Sequence, residues 1–471
     1  MSQQARNVLV IMSDEHQARA TGYAGHSVVQ TPHLDALAMR GAAFDSCWTP
    51  SPICVPARGS FITGKWVHEI GTWDSVQAYQ GMPQGWTHAA RDAGFDVHSF
   101  GKLHHRSGAV DDGFSERHRP MFIAGQGWLQ GLPRRDPLPY TEAAELAADT
   151  GTGHTTYTRY DERVTAEVID WLGQPERHQQ PWVSFVSLVA PHYPLSAPVE
   201  FTDMYPLSEV APPEIPAHDF AHPAVAAMAD FFDYDSYFDE AKRAEARRAY
   251  FALVSWMDHN VGQVLATLDA AQLSDDTLVI YTSDHGELLG NHGLWCKSFM
   301  FEDSVAVPLI AAGPGFTPGT KSSVNVNLID IAPTIGVAIG ITSPSNGFAN
   351  SLQQIAGSPD QDRPGFTEYH DGGSVTGSFA LRSGEWKYVE HIGFAPQLFH
   401  LPSDPHELDD LGEDPRCVHE RSSCAETLRS LVDPATADGA AFASQEEILM
   451  TVGGRDGVER AFRFNHTPVP D

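Results

Sequence analysis

Short apolar runs recur along the chain and are separated by segments with helical periodicity. The runs are rich in β-branched residues, which is typical of strands buried on both faces of a sheet. They fall at residues 7–12, 95–100, 182–189, 277–282 and 307–312.

The segments between these runs predict helices. Residues 31–41 read as a helix, with Thr31 as its cap, Pro32 in its first turn and Gly41 at its end. Further helices are expected just before Gly94, over 162–172, and over 241–268. Alternating strands and helices predict an α/β fold, with a large, mostly parallel sheet sandwiched by helices.

Two long stretches interrupt this alternation. Residues 105–160 and 196–239 are rich in Pro, Gly, Asp and aromatic residues. Long irregular segments inside a domain are usually functional or are insertions. These two are interpreted either as the walls of a substrate pocket or as surface excursions.

The pattern changes near residue 373. The stretch GSFALRSGEWKYVEH alternates apolar and polar residues and predicts an antiparallel hairpin that turns at Ser383–Gly384. A chain of 471 residues fits one large domain and a smaller appendage. We therefore expect a catalytic α/β domain over 1–372 and a C-terminal α+β domain, with an antiparallel sheet and a helix, over 373–471.

The composition restricts the partners. With 61 acidic and 30 basic residues, the chain carries a formal charge of −31, which argues against nucleic acid and anionic membranes as partners. Any pocket for an anion must then be a local basic island in an acidic protein.

The cysteines and the N-terminal sequence indicate the cellular compartment in which the protein is expected. The five cysteines are odd in number, and their scattered positions lack the paired spacing of zinc sites. The first apolar run is too short for a signal peptide or a membrane span. These features predict a reducing, cytoplasmic location. The cysteines are Cys47, Cys54, Cys296, Cys417 and Cys424.

Acidic residues or histidine directly follow the carboxyl ends of two predicted strands. Asp14 and Glu15 follow the first run, and Asp284 and His285 follow the run at 277–282. Ligands collect at this edge of a parallel sheet. Three carboxylates and one imidazole suit a divalent cation, although any one Asp after a strand can simply be a turn or cap residue.

Basic residues follow other strands. Lys102 and His104 come after the run at 95–100, His192 follows the run at 182–189, and Lys297 lies beyond His285. Together they would supply the cationic island that an anionic substrate needs. Taken singly, each is better explained as a surface residue.

The stretch CVPARGSFITG, residues 54–64, resembles the C-x-P-x-R…T-G signature of the type I sulfatases, a family within the alkaline phosphatase superfamily. Further similar stretches include NVLVIMSDEH, TPHLDALAMRGAAF, GKLHH, APHYP and YTSDHGELLGNHGLWCK. The chain looks nearest to the branch that holds choline sulfatases, alkylsulfatases, arylsulfatases and phosphonate monoester hydrolases.

This resemblance implies a role for Cys54. In the family, a formylglycine-generating enzyme that reads the Pro and Arg of the motif oxidises this cysteine to formylglycine. The hydrated aldehyde, a gem-diol, then attacks the ester. By position, Arg58 would steady the diol, and His192 would donate a proton to the leaving alcohol or phenol.

The resemblance also implies one divalent metal ion. Asp14, Asp284, His285 and the modified Cys54 match metal ligands, with Glu15 as a further oxygen donor. Imidazole suits first-row transition metals, so Mn²⁺ is favoured over Ca²⁺. The residues expected to hold the ester oxygens are Lys102, His104 and Lys297.

Three positions depart from the family pattern. Glu15 stands where the family commonly has Asp or Gln, and His285 and Ser75 stand where it often has Asn. The first two bear on the identity of the metal. The third bears on one contact to a substrate oxygen.

The leading hypothesis is hydrolysis of aryl or alkyl sulfate esters. An alternative is hydrolysis of phosphonate monoesters or phosphodiesters at the same site. A second alternative is a non-catalytic anion-binding protein, which would predict loss of Cys54 or of the metal carboxylates. The organic part of the substrate and homo-oligomer formation are left open.

Overall fold

A large sheet of eight strands forms the centre of the computed structural model, which describes residues 4–358, 361–461 and 467–470. Its strands and the shorter sheets are built from β1 (Asn7–Asp14), β2 (Gly41–Phe44), β3 (Cys47–Trp48), β4 (Asp96–Lys102), β5 (Glu116–Met121), β6 (Gly151–Thr152), β7 (Trp182–Pro191), β8 (Ser196–Ala197), β9 (Thr277–Ser283), β10 (Leu309–Ala312), β11 (Thr320–Ser322), β12 (Val326–Asn327), β13 (Gly365–Tyr369), β14 (Ser378–Ser383), β15 (Trp386–His391) and β16 (Gln397–His400).

The helices follow the predicted alternation. They are α1 (Pro32–Arg40), α2 (Cys54–Thr63), α3 (Val67–Ile70), α4 (Trp86–Asp92), α5 (Glu142–Ala148), α6 (Thr156–Leu172), α7 (Val199–Thr202), α8 (Pro223–Phe232), α9 (Glu240–Ala270), α10 (Glu302–Val305), α11 (Ile331–Ile339), α12 (Leu352–Ala356), α13 (Val418–Leu431), α14 (Pro434–Val452) and α15 (Gly454–Arg460). Single 3-10 turns connect several of these elements.

The strand order of the large sheet is β11-β2-β10-β9-β1-β7-β4-β5. Strands β9, β1, β7, β4 and β5 are parallel, whereas β10 is antiparallel to both of its neighbours. The predicted mostly parallel sheet is therefore confirmed. The five predicted strands all form, although the last begins at Leu309 rather than at 307.

Helices cover both faces of this sheet, as the apolar runs predict. Along β1, Leu9 and Ile11 point into a core shared with α1, α6 and α9. Val8, Val10 and Met12 point into a second core, shared with α2, α4 and α11. Because side chains alternate along a strand, one continuous apolar run supplies both cores.

The start of α1 differs from the predicted cap. Thr31 makes no side-chain cap bond, and its hydroxyl donates instead to Asp35 at 3.0 Å. The backbone N–H groups of His33 and Leu34 donate to the carboxylate of Asp258 on α9, at 3.1 and 2.8 Å. A distant helix thus satisfies the free N–H groups that a local cap normally takes.

A four-stranded antiparallel sheet, in the order β13-β14-β15-β16, forms the smaller C-terminal unit. The predicted hairpin forms, but its turn lies one residue later, at 384–385, because Ser383 still pairs with Trp386. Strand β13 belongs to this sheet and precedes residue 373. The division into 1–372 and 373–471 remains a prediction. In the described residues, every helix is too short or too polar to span a bilayer.

Candidate active site

Two neighbouring strands place two aspartates side by side at the carboxyl edge of the sheet. Strands β1 and β9 are parallel, with Ser13 opposite Ser283, so the next residues, Asp14 and Asp284, are adjacent. Both side chains are fully buried. The guanidinium of Arg58 joins them, since Nη2 donates to Asp14 at 2.9 Å and Nε donates to Asp284 at 2.7 Å. The predicted convergence of the two strand ends is present in the structure.

Helix α2 brings Cys54 to the same place. The helix begins at Cys54, and Arg58, four residues later, lies on the same side one turn on. Nη1 of Arg58 also donates to the carbonyl of Lys102 and to the hydroxyl of Ser187, both at 2.9 Å. The arginine therefore connects the first turn of α2 to residues on or directly after four strands, β9, β1, β7 and β4.

Four donor groups face one point. The carboxylates of Asp14 and Asp284, the thiol of Cys54 and the imidazole of His285 have ligand atoms within 4.8 Å of one another. His285 donates from Nδ1 to the carbonyl of Gly286 at 3.1 Å, which leaves the lone pair of Nε2 directed at Sγ of Cys54, also at 3.1 Å. A histidine that binds a metal through one ring nitrogen commonly donates a hydrogen bond from the other, which orients the ring toward the metal. The donor set therefore fits a divalent cation.

Glu15 lies beside this group. Its carboxylate is 3.2 Å from Nζ of Lys297 and 3.4 Å from Nε2 of His192, and it forms a separate donor group with His192 and Asp14. Burial raises the pKa of Glu15 to about 8. Its backbone has a positive φ of 66°, which turns the chain sharply after β1. Its geometry thus matches a contact to Lys297 and His192 better than membership of the four-donor group.

Two lysines supply positive charge around Cys54. Nζ of Lys297 is 3.6 Å and Nζ of Lys102 is 4.0 Å from its sulfur. Lys102 also pairs with Asp14 at 2.6 Å. Burial alone would raise the pKa of Asp14, but Lys102, His192 and Arg58 hold it well below its usual range. The site therefore contains an ionised carboxylate within a basic island.

The unmodified thiol of Cys54 is a weak nucleophile in this setting. Burial, together with the nearby Asp14, raises its pKa to about 12. A thiol is reactive as the thiolate. The lysines beside it are thus better placed to hold an anionic ligand than to activate a thiol.

His192 points at the same group from the end of β7. Its Nδ1 donates to the carbonyl of Tyr193 at 2.7 Å, so Nε2 is the atom that faces the site. Burial and the nearby Lys297 lower the pKa of His192 well below its usual value. In the structure, its imidazole is therefore neutral, and Nε2 must gain a proton before it can donate one.

His104 contacts a residue that no sequence pattern indicated. Its Nε2 lies 3.0 Å from the hydroxyl of Thr467, and the hydroxyl of Tyr157 donates to the carbonyl of Thr467 at 2.8 Å. Thr467 is nine-tenths buried and belongs to the described segment 467–470. Because 363 positions separate it from His104, only the folded chain reveals the contact.

A cavity of about 130 Å³ opens above Cys54. Six aromatic residues and Glu142 are among the residues that line it. Both long irregular stretches contribute to it, which confirms their interpretation as pocket walls. Ser75 also lines it, but donates its backbone N–H and hydroxyl to Asp371, at 2.8 and 2.7 Å. The aromatic residues are Trp128, Tyr140, Tyr157, Tyr193, Phe232 and Tyr234.

Comparison with known sequences decides the family. The sequence model described as Sulfatase matches residues 6–341. The chain belongs to the sulfatase family. A second model, described as N-sulphoglucosamine sulphohydrolase, C-terminal, matches residues 290–433 of this sulfatase. The resemblance noted in the sequence is thus confirmed, and the protein is a sulfuric ester hydrolase.

Individual relatives agree with this assignment. The sulfatase is 33% identical to a choline-sulfatase of Rhizobium meliloti (strain 1021), over 87% of this chain and 83% of that protein. It is 28% identical to arylsulfatase K of Danio rerio, over 91% of this chain and 84% of that protein.

Solved structures share the fold. A phosphonate monoester hydrolase of Agrobacterium radiobacter superposes with a TM-score of 0.75 at 23% identity, covering 90% of this chain and 95% of that one. A protein solved in complex with its substrate D-glucosamine-2-N,6-O-disulfate has a TM-score of 0.72 at 20% identity, covering 98% and 100%. At these identities the similarity concerns the fold alone.

Proposed function

We propose that this sulfatase hydrolyses sulfate monoesters with a formylglycine made from Cys54 and one divalent metal ion. The observation that supports this most is the position of Cys54. It lies at the start of α2, faces Asp14, Asp284 and His285, and has Lys102 and Lys297 beside it. An anionic ester held there would present its central atom to residue 54.

The sulfur of Cys54 stands for an oxygen of the hydrated aldehyde. One hydroxyl of this diol attacks sulfur and displaces the alcohol. When the other hydroxyl then loses its proton, the aldehyde forms again and sulfate leaves. An ordinary serine would instead remain sulfated. This chemistry requires a formylglycine-generating enzyme for maturation.

Asp14, Asp284, His285 and residue 54 would hold the metal ion. When bound, it lowers the pKa of a nearby hydroxyl and stabilises negative charge on the ester oxygens. His285 favours a first-row ion, Mn²⁺ rather than Ca²⁺, because calcium sites consist almost wholly of oxygen. Arg58 pairs with both aspartates and fixes their orientation.

The remaining basic residues act on the ester. Lys102 and Lys297 neutralise its oxygens, and His104 lies on the same wall of the cavity. His192 would protonate the leaving oxygen after taking up a proton at Nε2. Lys297 is the second candidate for this role, since its Nζ lies 3.6 Å from Sγ of Cys54.

The cavity restricts the organic group. A space of about 130 Å³ lined by aromatic rings and Glu142 fits a compact alcohol or phenol. Aromatic faces with a carboxylate also suit a small organic cation. The choline-sulfatase relative supports an alkyl ester of that kind as one candidate.

Parallel rate measurements test the proposal. The substrates are choline sulfate, a nitrophenyl sulfate and a phenylphosphonate monoester, compared by kcat/KM in one preparation. The expected result is a clear preference for a sulfate ester. Preference for the phosphonate would favour the alternative hydrolase, for which the shared fold of the phosphonate monoester hydrolase is the supporting observation. Tight binding of sulfate esters with no turnover of any would favour an anion-binding protein.

A further inference from the structure

A second group of side chains of the types that can bind a metal ion lies at the edge of the large sheet. His98 is on β4, and Glu116 and His118 are on the parallel edge strand β5. In the register, His98 lies opposite Glu116 and Phe100 lies opposite His118. Because residues two apart on a strand share a face, these three side chains meet on one face of the sheet.

The two imidazoles and the carboxylate each bring a donor atom within 4.8 Å of the other two. Nδ1 of His98 is 3.4 Å from Nε2 of His118 and 3.7 Å from Oε2 of Glu116, and Nε2 of His118 is 3.8 Å from Oε1 of Glu116. A tetrahedral zinc ion with ligands at roughly 2.0–2.2 Å separates its ligand atoms by about 3.3–3.6 Å. The 3.4 Å between the histidine nitrogens falls within this range, and the distances to the two oxygens of Glu116 exceed it slightly.

Aromatic packing holds the two imidazoles in place. The ring of His118 stacks on Phe100, with centroids 4.2 Å apart and planes 7° apart, and the ring of His98 packs against Trp171 at 4.9 Å. Burial and the proximity of His118 lower the pKa of His98 to about 4. Burial also lowers the pKa of His118. Both imidazoles therefore favour the neutral form, which a metal ligand needs.

We propose that His98, Glu116 and His118 bind a first-row transition metal ion, best zinc, with the fourth position open to solvent. Two imidazoles and a carboxylate are ligands that zinc accepts, and a half-exposed Glu116 leaves room for water. The exposed pair between Arg177 and Glu116, at 3.3 Å, opens when the ion binds. The ion ties the edge strand β5 to β4.

This site is separate from the catalytic centre. His98 precedes Lys102 by four positions on β4, which corresponds to about 13 Å along an extended strand. Its ligands line neither the cavity nor the four-donor group. Zinc here should stabilise the sheet edge without taking part in hydrolysis.

The test titrates zinc into the enzyme whose catalytic site is first saturated with its activating metal. Calorimetry and equilibrium dialysis give the affinity and the number of ions bound. The variants are His118→Gln and Glu116→Gln, and the control is His419→Gln, which changes an exposed histidine elsewhere. Loss of a ligand should weaken binding by more than the roughly 10–100-fold typical of an outer partner.

The wild type and the control should each bind one zinc ion more per molecule than His118→Gln. The sulfatase rates of all three proteins should be equal. Zinc should also raise the melting temperature of the wild type more than that of either variant. X-ray absorption at the zinc edge should report two imidazoles in the additional site. Equal zinc stoichiometry and affinity in the wild type and both variants would overturn the proposal. The sulfatase rate, measured separately, keeps this outcome distinct from failure of the proposed function.

Discussion

The hydroxyl of Thr467 lies 3.0 Å from Nε2 of His104 in the wall of the active-site cavity. The carbonyl of the same threonine accepts a hydrogen bond from Tyr157. Thr467 therefore orients a histidine in the wall of the cavity.

Replacing this threonine tests the contact. Thr467→Val keeps the shape and removes the hydroxyl, which leaves a buried imidazole nitrogen without that partner and costs about 1–3 kcal/mol. We expect kcat/KM to fall by roughly 5- to 100-fold. Thr467→Ser is the matched control and should retain most activity. If the serine and valine variants behaved alike, the hydroxyl would have no role.

Cys54 should occur as formylglycine in protein produced together with the modifying enzyme. The peptide that contains it should be lighter than its encoded mass and should react with carbonyl reagents. Cys54→Ala should abolish turnover and leave the fold intact, as checked by circular dichroism. Full activity in protein that carries only the thiol would refute the formylglycine mechanism. Burial raises the pKa of this thiol to about 12, so the unmodified protein is expected to be inactive.

His192→Gln should slow esters of poor leaving groups far more than nitrophenyl sulfate. A departing alkoxide needs a proton in the transition state, whereas a nitrophenolate hardly does, and general-acid catalysis contributes typically 10²–10⁴-fold. The measurement is kcat for an alkyl and an aryl ester in both proteins. An equal loss for both esters would assign the proton to another group, first of all to Lys297.

Removing the metal should abolish activity, and manganese should restore more of it than calcium. Chelated protein is reconstituted with each ion and assayed at matched concentrations. The reason is the imidazole of His285, whose Nε2 faces the donor group. His285→Asn should shift the preference toward calcium. Recovery with calcium alone in the wild type would contradict the assignment of His285 as a ligand.

Stability should depend on pH through His68 and Glu368, which join α3 to β13 at 2.8 Å. Burial alone would raise the pKa of Glu368, but His68 and His370 lower it to about 2. Its stabilising effect is thus present above the unfolded value near 4.5 and is lost as the pH falls toward 2. Burial alone would lower the pKa of His68. The negative charge of Glu368 outweighs this effect, so the pKa of His68 is raised above 6.5. That stabilisation is present below 6.5 and is lost as the pH rises through the folded value.

His68→Gln should therefore be most destabilising between about pH 4.5 and 6.5. We expect a loss of about 1.5–3 kcal/mol there, as for a hydrogen bond to a charged group, and a smaller loss once the pH has risen through the folded pKa of His68. Urea unfolding at several pH values measures it. The exposed His419→Gln serves as the control. A loss that did not vary with pH would show that the ion pair contributes nothing beyond packing.

The sequence alone was sufficient for the sheet and for the edge at which the site lies. The apolar runs are continuous because both faces of the central strands are buried, and such runs predict parallel strands. Parallel strands end at one edge, so Asp14 and Asp284 were expected at the same edge, and the adjacency of β1 and β9 in the folded sheet brings them together. The family motif added the role of Cys54, because the order of residues in 54–64 is itself the signal.

Only the tertiary structure decided which distant groups meet. Asp258 caps α1 in place of Thr31, and Thr467 reaches His104, through contacts between segments that share no periodicity. The meeting of His98, Glu116 and His118 depends on the register of β4 against β5. Local pattern records which face of an element is buried, whereas register and docking depend on the packing of the whole chain.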